Sequence, residues 1–303
     1  MPAVRAERLC PDAIFTPPDF VRYKAVSRAV REILQQHTDL IEPLSLDEAY
    51  LDVTENKTGL PTATRVAKAI RQQIRDELQL TASAGVAPNK FQAKIASDWR
   101  KPDGLFVIQP GEVIDFLVPL PVNSIPGVGK VTESRLKQIG VTTVGDLRAL
   151  DHDILESNFG RYGHRLYQLA RGIDHSPVVP NRPTKSISAE DTLERDIPLS
   201  ETTELIMRLA EKIWTSSRKE PRTARTVVLK LKTSDFNILT RSLTPVNPPE
   251  TAEAVIAIAL SLRDRVQAAA DQRFRLVGVG LSNFQEGSQP DTLLFDGLLQ
   301  IEE

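Results

Sequence analysis

The sequence predicts an α+β protein of several domains, and three observations carry that expectation. Before about residue 110 the apolar period switches back and forth between helical spacing and strict alternation. A stretch from about 121 to 172 reads as helix throughout. After a segment punctuated by Pro177, Pro180 and Pro183, residues 185 to 285 run strand, helix, strand, strand, helix, strand, the βαββαβ order of a small separate α/β domain.

Taken in order, Asp19 follows Pro17-Pro18 and opens a helix in which Phe20, Tyr23, Val26, Val30, Ile33 and Leu34 recur at helical spacing. From Ile41 to Val53 the period becomes two. Leu44 and Leu46 lie on one parity and Ala49, Leu51 and Val53 on the other, so the apolar face changes phase between Asp47 and Glu48. A strand cannot do that without a turn or bulge, which places both acids at an irregular, exposed spot within an otherwise buried-looking strand pair. A helix over 63–78 and a small-residue strand over 81–86 follow. The next helix, from Asn89, carries Lys90, Lys94, Ser97 and Lys101 along one side and Phe91, Ile95 and Trp99 as an apolar stripe. Lys101-Pro102-Asp103-Gly104 breaks it before a strand over 105–108. The last domain is expected to place strands at 187–197, 226–233, 238–243 and 274–283, with helices at 200–218 and 249–268.

With 303 residues, 41% hydrophobic, 26% charged and a formal net charge of −2, the chain suits a globular protein of two or more domains and not a disordered tail or a fibre. One cysteine, Cys10, excludes an intramolecular disulfide and a cysteine-based zinc cluster. Four histidines are too few to argue for a histidine metal site. The longest apolar run, Ala254 to Leu260, is far short of the roughly 20 residues that span a bilayer. A cytoplasmic protein with no membrane partner is expected. Charge is unevenly spread: residues 205–245 carry nine Lys/Arg against three acids, whereas 286–303 carry five acids and no base. Such a basic segment is either a solvated face or a surface for phosphates.

Three features could carry chemistry. Two adjacent acids at a turn between buried-looking strands would be costly unless a cation sat between them, and hard oxygen donors of this kind suit Mg²⁺. Phosphoryl transfer is the natural reaction for such a pair. Lys90, Lys94 and Lys101 form a solvated helix face by spacing alone or, beside an acid–metal site, place a lysine at the helix's end to neutralise a triphosphate. Ile125-Pro126-Gly127-Val128-Gly129-Lys130, followed by an amphipathic helix and by Thr143-Val144-Gly145-Asp146, has the pattern of a helix-hairpin-helix. The glycines there allow a tight turn whose amides meet a DNA phosphate; a plain connection between helices is the alternative.

Together these residues resemble the Y-family DNA polymerases. The resemblance is carried by Ile41 to Val53, by Ala84-Gly85-Val86-Ala87-Pro88-Asn89-Lys90 with Ala93-Lys94-Ile95-Ala96-Ser97-Asp98 and Lys101-Pro102-Asp103-Gly104, by Ile125 to Lys130, and by Leu276 to Asn283. It runs in order from about Met1 to Phe284. It implies the remainder of the fingers and an incomplete ferredoxin-like catalytic palm over 1–120. A helical thumb follows over 121–172, a linker over 173–184, a little-finger DNA-binding domain over 185–285 and an acidic tail over 286–303. The residues it marks as catalytic and metal-binding are Asp47 and Glu48, with two Mg²⁺ ions in the complete site, and Lys101 is marked for the dNTP triphosphate. Gly127, Gly129, Lys130, Arg218, Arg222, Lys230, Lys232 and Arg241 are marked for primer–template DNA. The implied activity is error-prone, translesion DNA synthesis by a monomer.

The resemblance departs at the front. Met1-Pro2-Ala3 matches the family well inside its sequence, so a strand bearing a further metal-binding aspartate, the aromatic residues that exclude ribonucleotides, and a Tyr and Arg that meet the triphosphate have no counterpart. The chain starts either at an internal methionine of a complete polymerase or as a natural short product, and it is expected to polymerise poorly by itself. A non-catalytic DNA-binding protein is the rival reading, and a structure-specific nuclease is disfavoured because the hairpin module is widely shared. Gln289 to Phe295 resembles a sliding-clamp peptide with Leu294 and Phe295 as its apolar pair; a plain tail is the alternative.

Overall fold

A computed structural model describes residues 3–269 and 271–286. The chain divides into two compact units, Met1–Asn181 and Arg182–Glu303.

In the first unit, α1 (Ala3–Leu9) ends beside the exposed Cys10. α2 (Phe20–Gln35) starts where the Asp19 carboxylate accepts the Arg22 backbone N–H at 3.0 Å, the cap expected of an aspartate before an apolar-periodic run. β1 (Ile41–Pro43) and β2 (Ala49–Leu51) form an antiparallel hairpin that pairs Glu42 with Tyr50. α3 (Ala63–Leu78) is capped by Thr62, and its Val66, Ile70 and Ile74 pack with Ile33 and Leu34 of α2 and Ile41 of β1. Each such buried aliphatic contributes roughly 1.5–3 kcal/mol through lost water contact, which holds the hairpin to the two helices.

β3 (Ala84–Val86), α4 (Lys90–Trp99) and β4 (Leu105–Val107) form a crossover in which β3 and β4 pair in parallel. Where the resemblance implies an incomplete ferredoxin-like palm, the strands form two separate two-stranded sheets, β1–β2 and β3–β4. The strand expected from residue 81 begins only at Ala84. The Arg71 guanidinium takes the Ala82 carbonyl at 2.7 Å, so that stretch satisfies its backbone with a side chain instead of a neighbouring strand. The same guanidinium donates to the Asp103 carbonyl at 2.6 Å and its carboxylate at 2.9 Å, and Arg75 also pairs with Asp103. The loop after α4 is thus tied to α3.

The helices that follow are α5 (Val113–Leu117), α6 (Lys130–Gln138), α7 (Val144–Ala149), α8 (His152–Phe159) and α9 (Arg161–Leu169). Their core is continuous with Phe91, Ile95 and Ala96 of α4 and Ile108 after β4, because one buried cluster includes these with Ile125, Leu136, Leu147, Leu155 and Leu166. That shared core is why the helical segment does not separate as a unit of its own.

The second unit contains β5 (Ser186–Pro198), α10 (Thr203–Ser217), β6 (Thr223–Thr233), β7 (Ile238–Leu243), α11 (Ala252–Asp264) and β8 (Arg273–Gln285). This is the βαββαβ order, folded as one antiparallel sheet in the order β5-β8-β6-β7. Val227, Leu229 and Leu231 of β6 are buried with Ile206, Leu209 and Ile213 of α10 and Val255, Ala259 and Leu262 of α11. Alternation along β6 turns Val228, Lys230 and Lys232 to the opposite, open face.

α4 lies on β3 so closely that a Cβ built on Gly85 would fall inside contact distance of Ala93 O and Ser97 N. Gly85→Ala is expected to force the helix off the strand and lower stability by about 1–3 kcal/mol, as overpacking does. Urea unfolding checks this, and an unchanged midpoint would show that the helix has room to move.

Candidate active site and nucleic-acid interface

The turn between β1 and β2 is organised by Ser45. Its Oγ donates to Asp47 Oδ1 at 2.5 Å and accepts the Glu48 backbone N–H at 3.1 Å, while the Leu44 N–H donates to the Glu48 carbonyl at 2.9 Å. Asp47 is exposed and Glu48 half-buried. The phase change read between these two residues is therefore a hairpin turn. The expectation of a buried-looking strand pair is corrected: Leu44 and Leu46 are exposed, because the strands end at Pro43 and restart at Ala49 and the two leucines belong to the turn.

Lys90 and Lys94 of α4, and Lys101 beyond it, are divided among three acids. Asn89 caps the helix by accepting the Gln92 N–H at 3.1 Å. Lys94 pairs with Glu48 at 2.6 Å. Lys90, one turn earlier, pairs with Glu42 at 2.5 Å, and lies 5.0 Å from the centre of the Tyr50 ring. Lys101, two residues beyond the helix, pairs with Asp98 at 2.5 Å. Four-residue spacing thus puts Lys90 and Lys94 against the two ends of the same hairpin, and the loop held by Arg71 carries Lys101. The reading of Lys90 and Lys94 as a solvated helix face is corrected, because each ammonium is taken by an acid of the hairpin.

Asp47 and Glu48 supply hard oxygen donors at an accessible turn, which fits Mg²⁺, an ion that takes one or two carboxylates and completes its shell with water and phosphate oxygens. Among the described residues, the one group of three or more His, Cys, Asp or Glu side chains close enough to share an ion is His152, Asp153 and Glu156 in α8, not this turn.

In the helix-hairpin-helix segment, Ile125 and Val128 are buried and fix the turn from below. Gly127 has φ +97°, a conformation that favours glycine, and Gly129 precedes α6, whose first residue is the exposed Lys130. α7 opens with a capping box in which Thr143 Oγ1 accepts the Asp146 N–H at 3.0 Å and Asp146 accepts the Thr143 N–H at 2.8 Å. Asp146 also accepts the Thr142 N–H at 3.0 Å and its hydroxyl at 2.9 Å.

On the second unit, Lys230 and Lys232 lie on the open sheet face. There β6 residues stand beside Gly278 and Gly280 of β8 and Ser188 and Glu190 of β5. Lys230 pairs with Glu190 at 2.7 Å, and Lys232 lies 4.8 Å from the centre of the exposed Phe236 ring, which Arg275 also covers at 4.0 Å. Arg218 follows α10 and lies over Trp214. Arg241 and Arg222 are the two further arginines expected to meet DNA. Arg241 stands opposite Leu229 in the β6–β7 register and so faces the helix side of the sheet. Arg222 donates from Nε to Glu220 at 2.7 Å and from Nη2 to the Thr184 carbonyl at 2.9 Å. Leu294 and Phe295 lie outside the described residues.

Sequence reading passed over Glu42 and Arg71. The signal at Glu42 was an acid between apolar neighbours on a strand otherwise read as buried. At Arg71 it was an arginine at helical spacing from Arg75 near the apolar face of α3.

The Asp146 carboxyl is held well below the ordinary carboxylate range, first by the Thr143 N–H, then by the Thr142 N–H and the two hydroxyls. A depressed folded-state pKa means that its contribution is complete above the unfolded value of about 3.9 and is lost only as pH falls through the lower folded value. An NMR titration of the side-chain carboxyl is expected to show Asp146 still ionised where exposed carboxylates have protonated; an ordinary midpoint would remove the capping box from the account.

Comparison with known proteins extends the geometry. A family model described as the impB/mucB/samB family matches residues 1–98 and that of its C-terminal domain matches 184–293, while a model described as the DNA polymerase-iota thumb domain matches 123–174. The DNA polymerase IV of Stenotrophomonas maltophilia is 63% identical over 286 residues, covering 94% of this chain and 80% of the relative. That of Neisseria meningitidis is 47% identical over 293 residues, covering 97% and 83%. Among solved structures, a Y-family DNA polymerase chimera aligns with a TM-score of 0.85 at 30% identity, covering 94% of this chain and 82% of that one. An insertion ternary complex of Dbh DNA polymerase aligns at 0.60 and 28% identity, with coverage of 94% and 82%.

Proposed function

Because the chain belongs to the Y family of DNA polymerases, we propose that the β1–β2 turn is its site for Mg²⁺-dependent transfer of a nucleotide from a dNTP to a primer 3′-OH, in translesion synthesis. The observation that carries this is the turn itself: two adjacent carboxylates, one ordered by Ser45 and the other by Lys94, beside a helix that ends toward Lys101. Asp47 and Glu48 would hold the metal, which would supply Lewis-acid stabilisation of charge on the attacking and leaving oxygens. Ser45 aims Asp47, and Lys94 fixes one Glu48 oxygen. Lys101, exposed on its loop, is the cation for the triphosphate.

DNA is gripped without base reading. Gly127, Gly129 and Lys130 offer backbone amides and a charge to a phosphate, and Lys230 and Lys232 offer charge on an open sheet face where Gly278 and Gly280 raise no side chains. Both surfaces make binding salt-dependent. Lys230→Ala with Lys232→Ala is expected to weaken binding to primer–template DNA whatever its sequence. It should also reduce the slope of log affinity against log salt by about one to two. An unchanged slope in fluorescence anisotropy would move the DNA off that face.

A second reading, DNA binding with little catalysis, is favoured by one observation. Among the described residues the turn gathers only Asp47 and Glu48 as acids, and Lys94 already claims an oxygen of Glu48. The 303-residue chain by itself is therefore expected to extend a primer little or not at all. Vigorous Mg²⁺-dependent extension that Asp47→Ala abolishes would overturn this second reading and keep the turn as the active site. Extension indifferent to Asp47→Ala would remove the turn from the chemistry.

A further inference from the structure

Two irregularities of the second unit meet beside its open sheet face. The first is in β8. Lys232 pairs with Leu276 and Thr233 with Phe274, so the register shifts between them and Arg275 is the extra residue. In an unbroken register Arg275 would share the helix side with Val277 and Val279, since residues two apart lie on one face. The bulge gives that place to Phe274, which is fully buried among the helix-side core residues, and leaves Arg275 half-buried.

The second irregularity is the turn between β6 and β7. The Phe236 N–H donates to the Thr233 carbonyl at 2.9 Å and the Thr233 N–H to the Asn237 carbonyl at 2.9 Å, which closes a three-residue loop, 234–236. The last position of such a loop is left-handed and ordinarily glycine. Here it is phenylalanine, at φ +70° and 57% exposed. A bulky side chain is disfavoured in that conformation, and Thr233 helps to hold it there, its Oγ1 accepting the Asn237 N–H at 3.0 Å. Asp235 is committed to the same loop, accepting from Thr233 Oγ1 and from Asn237 Nδ2 at 2.5 Å.

Both irregularities serve one ring. Arg275 lies 4.0 Å and Lys232 4.8 Å from the centre of Phe236. Among the described residues neither cation has a carboxylate partner, whereas Lys230, two residues back on the same face, pairs with Glu190 at 2.7 Å. Two like charges gathered over one aromatic ring, with Asp235 turned into its own loop, form a place for an anion. We infer that Phe236 is a positioning residue that holds the Arg275 guanidinium and the Lys232 ammonium together as a two-pronged clamp for one phosphodiester of DNA. The inference rests on the reading, proposed above, that this face meets DNA. To that reading it adds an uncharged ring that sets how well two cations bind. A side chain at odds with its turn is thereby explained by what it organises.

The test uses the full chain, with affinity for primer–template DNA read by fluorescence anisotropy and stability by thermal melting. Phe236→Gly gives the turn the residue it favours and removes the ring. It is expected to melt no lower than the parent and to bind DNA about two- to fivefold more weakly, the range of one exposed cation–π contact. Phe236→Tyr keeps the ring and is expected to bind as the parent does. Because the ring acts through its cations, Phe236→Gly should weaken binding less in a chain that already carries Arg275→Ala. Unchanged affinity in Phe236→Gly, while Lys230→Ala with Lys232→Ala weakens binding, overturns the clamp and leaves the reading of the face standing. If that double variant also binds like the parent, the reading of the face fails and the clamp with it. Full additivity of Phe236→Gly with Arg275→Ala likewise overturns the positioning role. So does a Phe236→Gly chain that binds weakly but melts well below the parent, since the ring then serves the fold.

Discussion

The seating of α4 on β3 is the contact on which the first unit depends. Gly85 lets the helix approach to backbone contact, and the ten residues of α4 with their cap then act in several directions. Phe91, Ile95 and Ala96 enter the core shared with the later helices, and Asn89 and Gln92 hold the Gly172 carbonyl. Lys90 and Lys94 reach the two ends of the β1–β2 hairpin. A displacement of this one helix would shift the acidic turn, the loop carrying Lys101 and the start of the linker together. The position of the turn is in this sense a property of the α4 packing and not of the turn residues alone.

The second unit uses a simpler rule. Alternation along β6 sends valine and leucine to the helices and lysine to the open face, and the neighbouring strands obey the same parity. The open side is assembled from Ser188, Glu190, Gly278, Gly280 and the β6 lysines, of which Lys230 pairs with Glu190. A surface of this kind can meet a sugar–phosphate backbone closely and has few side chains with which to distinguish bases.

Much of this was legible in the sequence where the signal is local. Asp19, Thr62, Asn89 and Thr143 are short polar residues before apolar-periodic runs, and each caps the helix it precedes. The break in parity between Asp47 and Glu48 marked the turn, and Gly127 marked a backbone of positive φ. What stayed hidden depends on partners distant in sequence. Spacing shows that Lys90 and Lys94 share a helix face, but not that one meets Glu42 and the other Glu48. Arg241 carries the same charge as Lys230, and only the β6–β7 register, which sets it opposite Leu229, reveals that it faces the other way. Arg71 likewise replaces a strand partner for Ala82, which no periodicity could have shown.

Cys10, at the end of α1, has a further use. It is the sole thiol of the chain and it is exposed, whereas the two tryptophans fall one to each unit, Trp99 in the first and Trp214 in the second. An unaltered chain labelled once with a maleimide dye therefore holds an energy-transfer acceptor in the first unit and an indole donor in each unit. With Trp99→Phe leaving Trp214 as the one indole, its quenching by the dye becomes an optical ruler from one unit to the other.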